Sequence, residues 1–290
     1  MNARIFIIAL SAGLTLSFFS TGIAWAEVQE AVLLDTPRKS IQARADVLGM
    51  AEKEVIQVTY IFSNDDAGLV NAAFLRHAAL EGKKVYLLID HFAAGHGRPD
   101  PGVLAELMEA GVKVGFFHAP SLRRPLQYLR RLHDKLLIVD SKHIVTGDKN
   151  IANEYFGISE RAWQGMDLYV QSPEVASSAR NYVLDIFESD HVTAPDVSQV
   201  TLRERRDASH QLDTAWDWAS HQEVFADKFV WYRQGKVPID FAKFLHFDAN
   251  ELHSKSRKAN QVLKLLSSAD RSLDIVTPYF VPPKQFKAAL

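Results

Sequence analysis

Three β-rich runs separated by two helical stretches set the first limit on what this chain can fold into. Residues 55–62 (VIQVTYIF), 84–90 (KVYLLID) and 112–117 (VKVGFF) are short, apolar and rich in β-branched or aromatic side chains, as buried strands are. Between the first two, Asp65 and Asp66 can cap a helix running to Glu81, with Leu69, Val70, Ala73, Phe74 and Leu80 inward and Gly82 as its stop. Between the second and third, Pro101 opens a helix that ends at Gly111. A strand that must recross its own sheet through a helix gives the β-α-β-α-β order of an α/β fold, with helices packed on a sheet. Further helices are expected over 36–53, opened by Thr36-Pro37, and over 173–189.

Two more short strands follow, over 135–140 and 143–147, separated by Ser141-Lys142. Another is expected over 167–171. The first pair reads as a hairpin and carries an unusual set of polar residues: RRLHDKLLIVDSKHIVTGDKN, starting at Arg130. His133, Lys135 and Asp140 have the spacing H-x-K-x4-D, with Gly147 and Asn150 downstream. Residues two apart on an extended chain share a face, so the His133 imidazole and Lys135 ammonium point the same way. Leu136 to Val139 anchor the strand in a core. If the second strand pairs back, Gly147 and Asn150 arrive near the beginning of the first. Imidazole, ammonium and carboxamide then converge on a small volume.

That set suits a phosphodiester. A histidine can attack phosphorus and hold it covalently, splitting one difficult displacement into two easier ones. A lysine places fixed positive charge where the non-bridging oxygens gain negative charge. Asn150 can donate to the same oxygens, and Gly147 lets the backbone come close. Asp140 is expected to order the site through hydrogen bonds rather than touch substrate. Lys135 and Asn150 neutralise the charge, so neither metal nor cofactor is expected. The full pattern arises by chance in roughly one in ten thousand chains of this composition.

The segment is identified with the HKD motif of the phospholipase D superfamily, H-x-K-x4-D-x6-G-[SG]-x-N. Asn150 to Gly157, then Met166-Asp167-Leu168-Tyr169-Val170, resemble its cardiolipin synthase branch, as do Thr277-Pro278-Tyr279-Phe280-Val281-Pro282. The resemblance implies an α/β phospholipase D-like lobe, a mixed sheet flanked by helices. It implies transfer or hydrolysis of a phosphatidyl group through a phosphohistidine at His133, with a phospholipid at a membrane surface as the partner. One local departure is Asp148, which stands where the family usually has Ser or Gly; a carboxylate there repels a phosphate unless it points away.

Relatives of this kind carry two such motifs, one per lobe, with one histidine attacking and the other protonating the leaving alkoxide. Here residues 51–62 (AEKEVIQVTYIF) and 269–280 (ADRSLDIVTPYF) align without a gap, so a second copy of the fold is expected to begin near residue 251. No second H-x-K-x4-D occurs: His253-Ser254-Lys255 is followed by Asn260 where the acid should stand. The expected organisation is a first lobe over 36–190, a connector over 191–250 and the opening of a second lobe over 251–290. Leu290 falls within an expected helix, which suggests a truncated product. Two alternatives accompany the phospholipid reading: a single-motif nuclease that completes its site as a homodimer, and a fragment that binds an anionic headgroup without turnover.

The rest of the sequence bounds the setting. Met1 to Arg4 is short and positive, an apolar run follows, and Ala24-Trp25-Ala26 offers small residues for cleavage, the layout of a secretory signal peptide over 1–26. An exported, periplasmic location follows as an expectation. The chain has no cysteine, which excludes thiolate nucleophiles and disulfides. Net charge is -2, and loss of Arg4 with the leader makes it -3, which argues against nucleic acid as the partner. Arg123, Arg124, Arg130 and Arg131 form either a basic rim for headgroups or a solvated loop. His91 and His96 read as loop residues, and the tryptophans of 216–231 as core.

Overall fold

The computed structural model describes residues 29–92, 98–119, 131–222, 235–239, 242–244, 264 and 267–268. In order these form β1 (Gln29–Leu34), α1 (Pro37–Gly49), β2 (Glu54–Thr59), α2 (Asp66–Leu80), β3 (Lys84–Asp90), α3 (Pro101–Glu109), β4 (Lys113–Phe117), β5 (Leu136–Val139), β6 (His143–Gly147), β7 (Asp167–Gln171), α4 (Pro173–Phe187), β8 (Val192–Thr193), α5 (Leu202–Ser220) and β9 (Val237–Ile239). The strands form one sheet in the order β8-β4-β3-β2-β5-β6-β7-β1-β9. Strands β2, β3 and β4 are parallel; β5 pairs antiparallel with β2, and the meander through β6 and β7 to β1 is antiparallel throughout. The sheet is therefore mixed, and the architecture α/β.

Helices cover both faces because the strands are apolar on both. One core joins alternate strand residues such as Val55, Leu87, Val114, Leu137 and Val145 to α1, α2, α3 and α5. The other joins Ile56, Val58, Leu88, Ile138, Ile144 and Val170 to α4. The helix starts follow simple chemistry. Thr36, Asp65, Asp100 and Ser172 each accept a bond from a backbone N–H in the following turn, and Pro37, Pro101 and Pro173 occupy a first-turn position where no intrahelical N–H is required. Helix α5 begins with a reciprocal capping box between Thr201 and Glu204.

Three features refine the reading of the sequence. Strands β1 and β9 extend the sheet with residues outside 36–190, so the lobe draws on both flanks of that span. The helical connector expected over 191–250 holds α5, which packs Ala208 and Leu212 into the core over α2 and α3 and so shares the lobe's interior. The hairpin turn is Asp140-Ser141, one residue earlier than expected. Both residues have positive φ, 52° and 53°, the pattern of a type I′ turn, and Lys142 N donates to Val139 O at 3.0 Å. The expected signal segment, most of 251–290 and the repeat block 269–280 lie outside the described residues.

Candidate active site

Strand β5 and its lead-in alternate strictly. Leu132, Leu136 and Ile138 face the α4 core; Leu137 and Val139 face the opposite core. His133 and Lys135 fall on the second set of positions and Asp134 on the first, so strand geometry alone puts the imidazole and the ammonium on one side. The ring of Tyr60, just beyond β2, joins them. Its centroid lies 4.8 Å from that of His133 and 5.4 Å from Lys135 Nζ. Lys135 Nζ also donates to the His133 carbonyl at 2.8 Å.

Asn150 reaches the same corner from the other arm of the hairpin. Leu136 pairs with Thr146, so Gly147 lies beside Lys135 in register. Gly147 is required by packing: a Cβ there would meet Asp167 Oδ1 and Met166 O, each at 2.4 Å. The chain then turns inward, and Asn150 Oδ1 accepts from Ile61 N at 3.0 Å. That bond fixes the carboxamide next to Tyr60 and leaves its NH2 group to donate elsewhere. Ile151 bridges Phe62, and Asn153 ties into the start of α2, accepting from Ala67 N at 2.9 Å while its own N donates to Asp65 Oδ2 at 2.8 Å.

Asp140 is not brought to this corner. It lies just past the far end of β5, ~17 Å of extended chain from Lys135. Its carboxylate accepts from the backbone N–H groups of Glu52, Lys53 and Glu54 at 2.7, 2.9 and 2.8 Å, closing the start of β2 onto the hairpin turn. Of the residues marked by the motif, the structure thus collects His133, Lys135, Gly147 and Asn150 and sets Asp140 apart. The Asp148 carboxylate rests against Gly165, where a Cβ would approach it to 2.2 Å, and its charge acts on Lys135.

Burial tunes the charges. His133 reaches solvent, yet the surrounding protein and then the Lys135 ammonium push its pKa down to about 4, so the imidazole is neutral at neutral pH. Burial also pushes Lys135 down, to about 8, opposed by the carboxylates of Asp134, Asp148 and Asp90. Asp134 is pushed up to about 6 by burial, against a 2.9 Å hydrogen bond from the Tyr182 hydroxyl of α4 and the nearby Lys135.

Several of these residues were not marked by sequence spacing. Tyr60 was visible only as a strand residue, Asp134 as the variable position of the motif, and Asp90 as an acid ending an apolar strand. Beneath the Gly147–Asn150 turn, buried Arg44 pairs with Asp167 at 3.0 Å, and Lys149 Nζ donates to Gly165 O at 2.8 Å. The loop between Gly157 and Met166 is held by such backbone bonds while exposing Ile158, Trp163 and Met166. Of the other residues weighed, Arg131 stacks over exposed Phe92 at 3.5 Å, and Arg98 lies 3.2 Å from His91 Nε2. Trp216 packs on His77 and Phe74, whereas Trp218 is exposed. Arg123, Arg124, Arg130, His96 and Trp231 lie outside the described residues. Among the described residues no group of three or more His, Asp or Glu is arranged to hold a metal, and no helix is long and apolar enough to cross a membrane.

Residues 45–186 match the family described as cardiolipin synthase, PLD-like domain. Over 281 residues the chain is 25% identical to cardiolipin synthase C of Escherichia coli K12, covering 89% of this chain and 58% of the relative. It is 25% identical over 276 residues to cardiolipin synthase B of the same strain, covering 92% and 57%. The chain thus spans about half the length of these curated relatives. The phosphatidylserine synthase of Haemophilus influenzae Rd KW20 superposes with a TM-score of 0.60 at 15% identity, covering 89% of this chain and 57% of that one, a likeness of fold.

Proposed function

Because the lobe built on residues 45–186 is a phospholipase D-like domain of the cardiolipin synthase type, we propose that it provides one half of a phosphatidyl-transfer site, with His133 as the nucleophile. The observation that carries this reading is a neutral imidazole gathered with a charged ammonium and an oriented carboxamide around Tyr60. An imidazole nitrogen of His133 attacks the phosphorus of a phospholipid diester. The N–P bond forms, the P–O bond to the departing alcohol breaks, and a general acid protonates that alkoxide. In the second step an acceptor hydroxyl gives its proton to the same group and forms a P–O bond as the N–P bond breaks. Lys135 and the Asn150 NH2 group bind the non-bridging oxygens, where charge develops. The general acid is the histidine of a second motif, in a longer chain or in a partner copy.

A bilayer-borne substrate is supported by the exposed Ile158, Trp163 and Met166, of which Met166 lies against Gly147. Export, expected from the leader, belongs to the same reading. The test is to incubate the chain with phosphatidylglycerol vesicles and follow the lipids by mass spectrometry, with His133→Ala alongside. Cardiolipin or phosphatidic acid is expected from the unaltered chain only. The same product from both, or no product when the chain is supplied with a second motif, contradicts the assignment.

A further inference from the structure

The backbone around His133 is fastened, but its ring is not held by hydrogen bonds. Leu132 N donates to Asp90 Oδ2 at 2.7 Å, and the His133 carbonyl accepts from Lys135 Nζ at 2.8 Å. Among the described residues neither imidazole nitrogen has a hydrogen-bond partner. The acid of the motif cannot serve, since Asp140 stands at the other end of β5 on the backbone of Glu52, Lys53 and Glu54. A histidine without such a partner turns easily about its last side-chain bond, where the energy well is broad. A nucleophile that turns loses its alignment on phosphorus. What meets the ring instead is Tyr60. The two centroids lie 4.8 Å apart with the planes inclined at 57°, within the range of tilted aromatic pairs. The same Tyr60 ring faces the Lys135 ammonium, 5.4 Å from Nζ to the centroid, within reach of a cation–π contact.

Tyr60 is itself fixed from both sides. Thr59 Oγ1 donates to Ile61 O at 2.7 Å, Ile151 N donates to the same oxygen at 3.1 Å, and Ile61 N donates to Asn150 Oδ1 at 3.0 Å. One joint therefore places the ring and the Asn150 carboxamide together. Burial raises the pKa of the Tyr60 hydroxyl, the Asp90 charge adds to this and Arg131 opposes it. The side chain stays neutral at neutral pH and brings no negative charge to a place where a phosphate binds. We propose that Tyr60 is a positioning residue for this site, its ring holding the His133 imidazole and the Lys135 ammonium in one arrangement. The role belongs to the ring and not to the hydroxyl. It rests on the reading of His133 and Lys135 as the reacting groups, but its geometry can be tested without turnover.

The experiment is NMR of the full chain labelled at histidine and tyrosine, with the His133 signals identified by their loss in His133→Ala. In the wild type, nuclear Overhauser contacts are expected between the His133 and Tyr60 ring protons. Their absence overturns the proposal, and this measurement needs no variant to fold. The second part is a pH titration of His133 in the wild type, Tyr60→Phe and Tyr60→Leu. The phenylalanine variant keeps the ring and removes the hydroxyl; the leucine variant removes both. The charged group acting on the imidazole, Lys135, is the same in all three. The wild-type midpoint is expected at about 4. It should hold within a few tenths of a pH unit in Tyr60→Phe and rise by about one unit in Tyr60→Leu, where water reaches the imidazole. A midpoint that does not move in a folded Tyr60→Leu, or that moves as far in Tyr60→Phe, overturns the proposal. Where turnover is measurable, kcat should fall by about tenfold or more in Tyr60→Leu with KM nearly constant, and stay within about threefold in Tyr60→Phe. An equal loss in Tyr60→Phe assigns the work to the hydroxyl and overturns the proposal too. Absence of turnover in the wild type contradicts the functional reading and leaves the NMR results to decide the role of Tyr60.

Discussion

The two ends of β5 carry parts of one sequence motif and do different work. At the leading end, His133 and Lys135 stand around Tyr60, their pKa values both pushed down by burial. At the trailing end, Asp140 sits in a tight turn with positive φ and spends its carboxylate on three backbone N–H groups. Four apolar residues separate them. The H-x-K-x4-D spacing thus measures a strand: its first two members gather at Tyr60, and its last fastens the strand to its neighbour β2. A fixed spacing between residues is no guarantee that they meet.

The difference can be broken from either end. Substituting His133→Ala should lower phosphatidyl transfer by at least about a thousandfold, since no other group at the site can form the covalent intermediate. Thermal unfolding should move little, because that ring already reaches solvent. Asp140→Ala should do the reverse. Losing three bonds to a charged acceptor, and placing a Cβ-bearing residue without a turn-forming side chain at positive φ, should lower stability by about 3 kcal/mol in urea unfolding. Activity per folded molecule should stay within about twofold.

The pH dependence sharpens the same contrast. His133 must be neutral and Lys135 charged, so kcat/KM should rise through about pH 4 and fall through about pH 8. His133 binds its proton less readily folded than unfolded. Its contribution therefore makes stability fall as pH drops from its ordinary value of 6.5 toward about 4. A smaller effect is expected from Tyr182→Phe, which removes the hydroxyl bound to Asp134 on the face opposite His133. About 1 kcal/mol of stability should be lost, and with the bond gone the Asp134 midpoint should rise above about 6, readable by carboxylate 13C NMR.

Much of this was legible in the sequence because periodicity and capping are local. The β3 and β7 ranges, the helix starts at Pro37, Pro101 and Pro173, and the convergence of His133, Lys135 and Asn150 all follow from alternation, proline placement and hairpin pairing. What was not legible depends on distant partners. Strands β1 and β9 are too short and mixed to announce themselves and exist by pairing with β7 and with each other. Helix α5 looks like a polar linker because only Ala208, Leu212 and Ala219 among its residues are buried. Tyr60 and Asp90 look like ordinary strand ends until the parallel strands β2 and β3 bring their carboxyl ends beside Leu132 and His133.

The most direct test of the account is to find the covalent intermediate. The chain would be mixed with short-chain phosphatidylglycerol, quenched at high pH, where phosphohistidine survives, digested, and its peptides read by mass spectrometry. A phosphatidyl adduct on His133, absent from His133→Ala and much reduced in Lys135→Gln, is the predicted result. Turnover without an adduct on His133, or an adduct on a different residue, would contradict it.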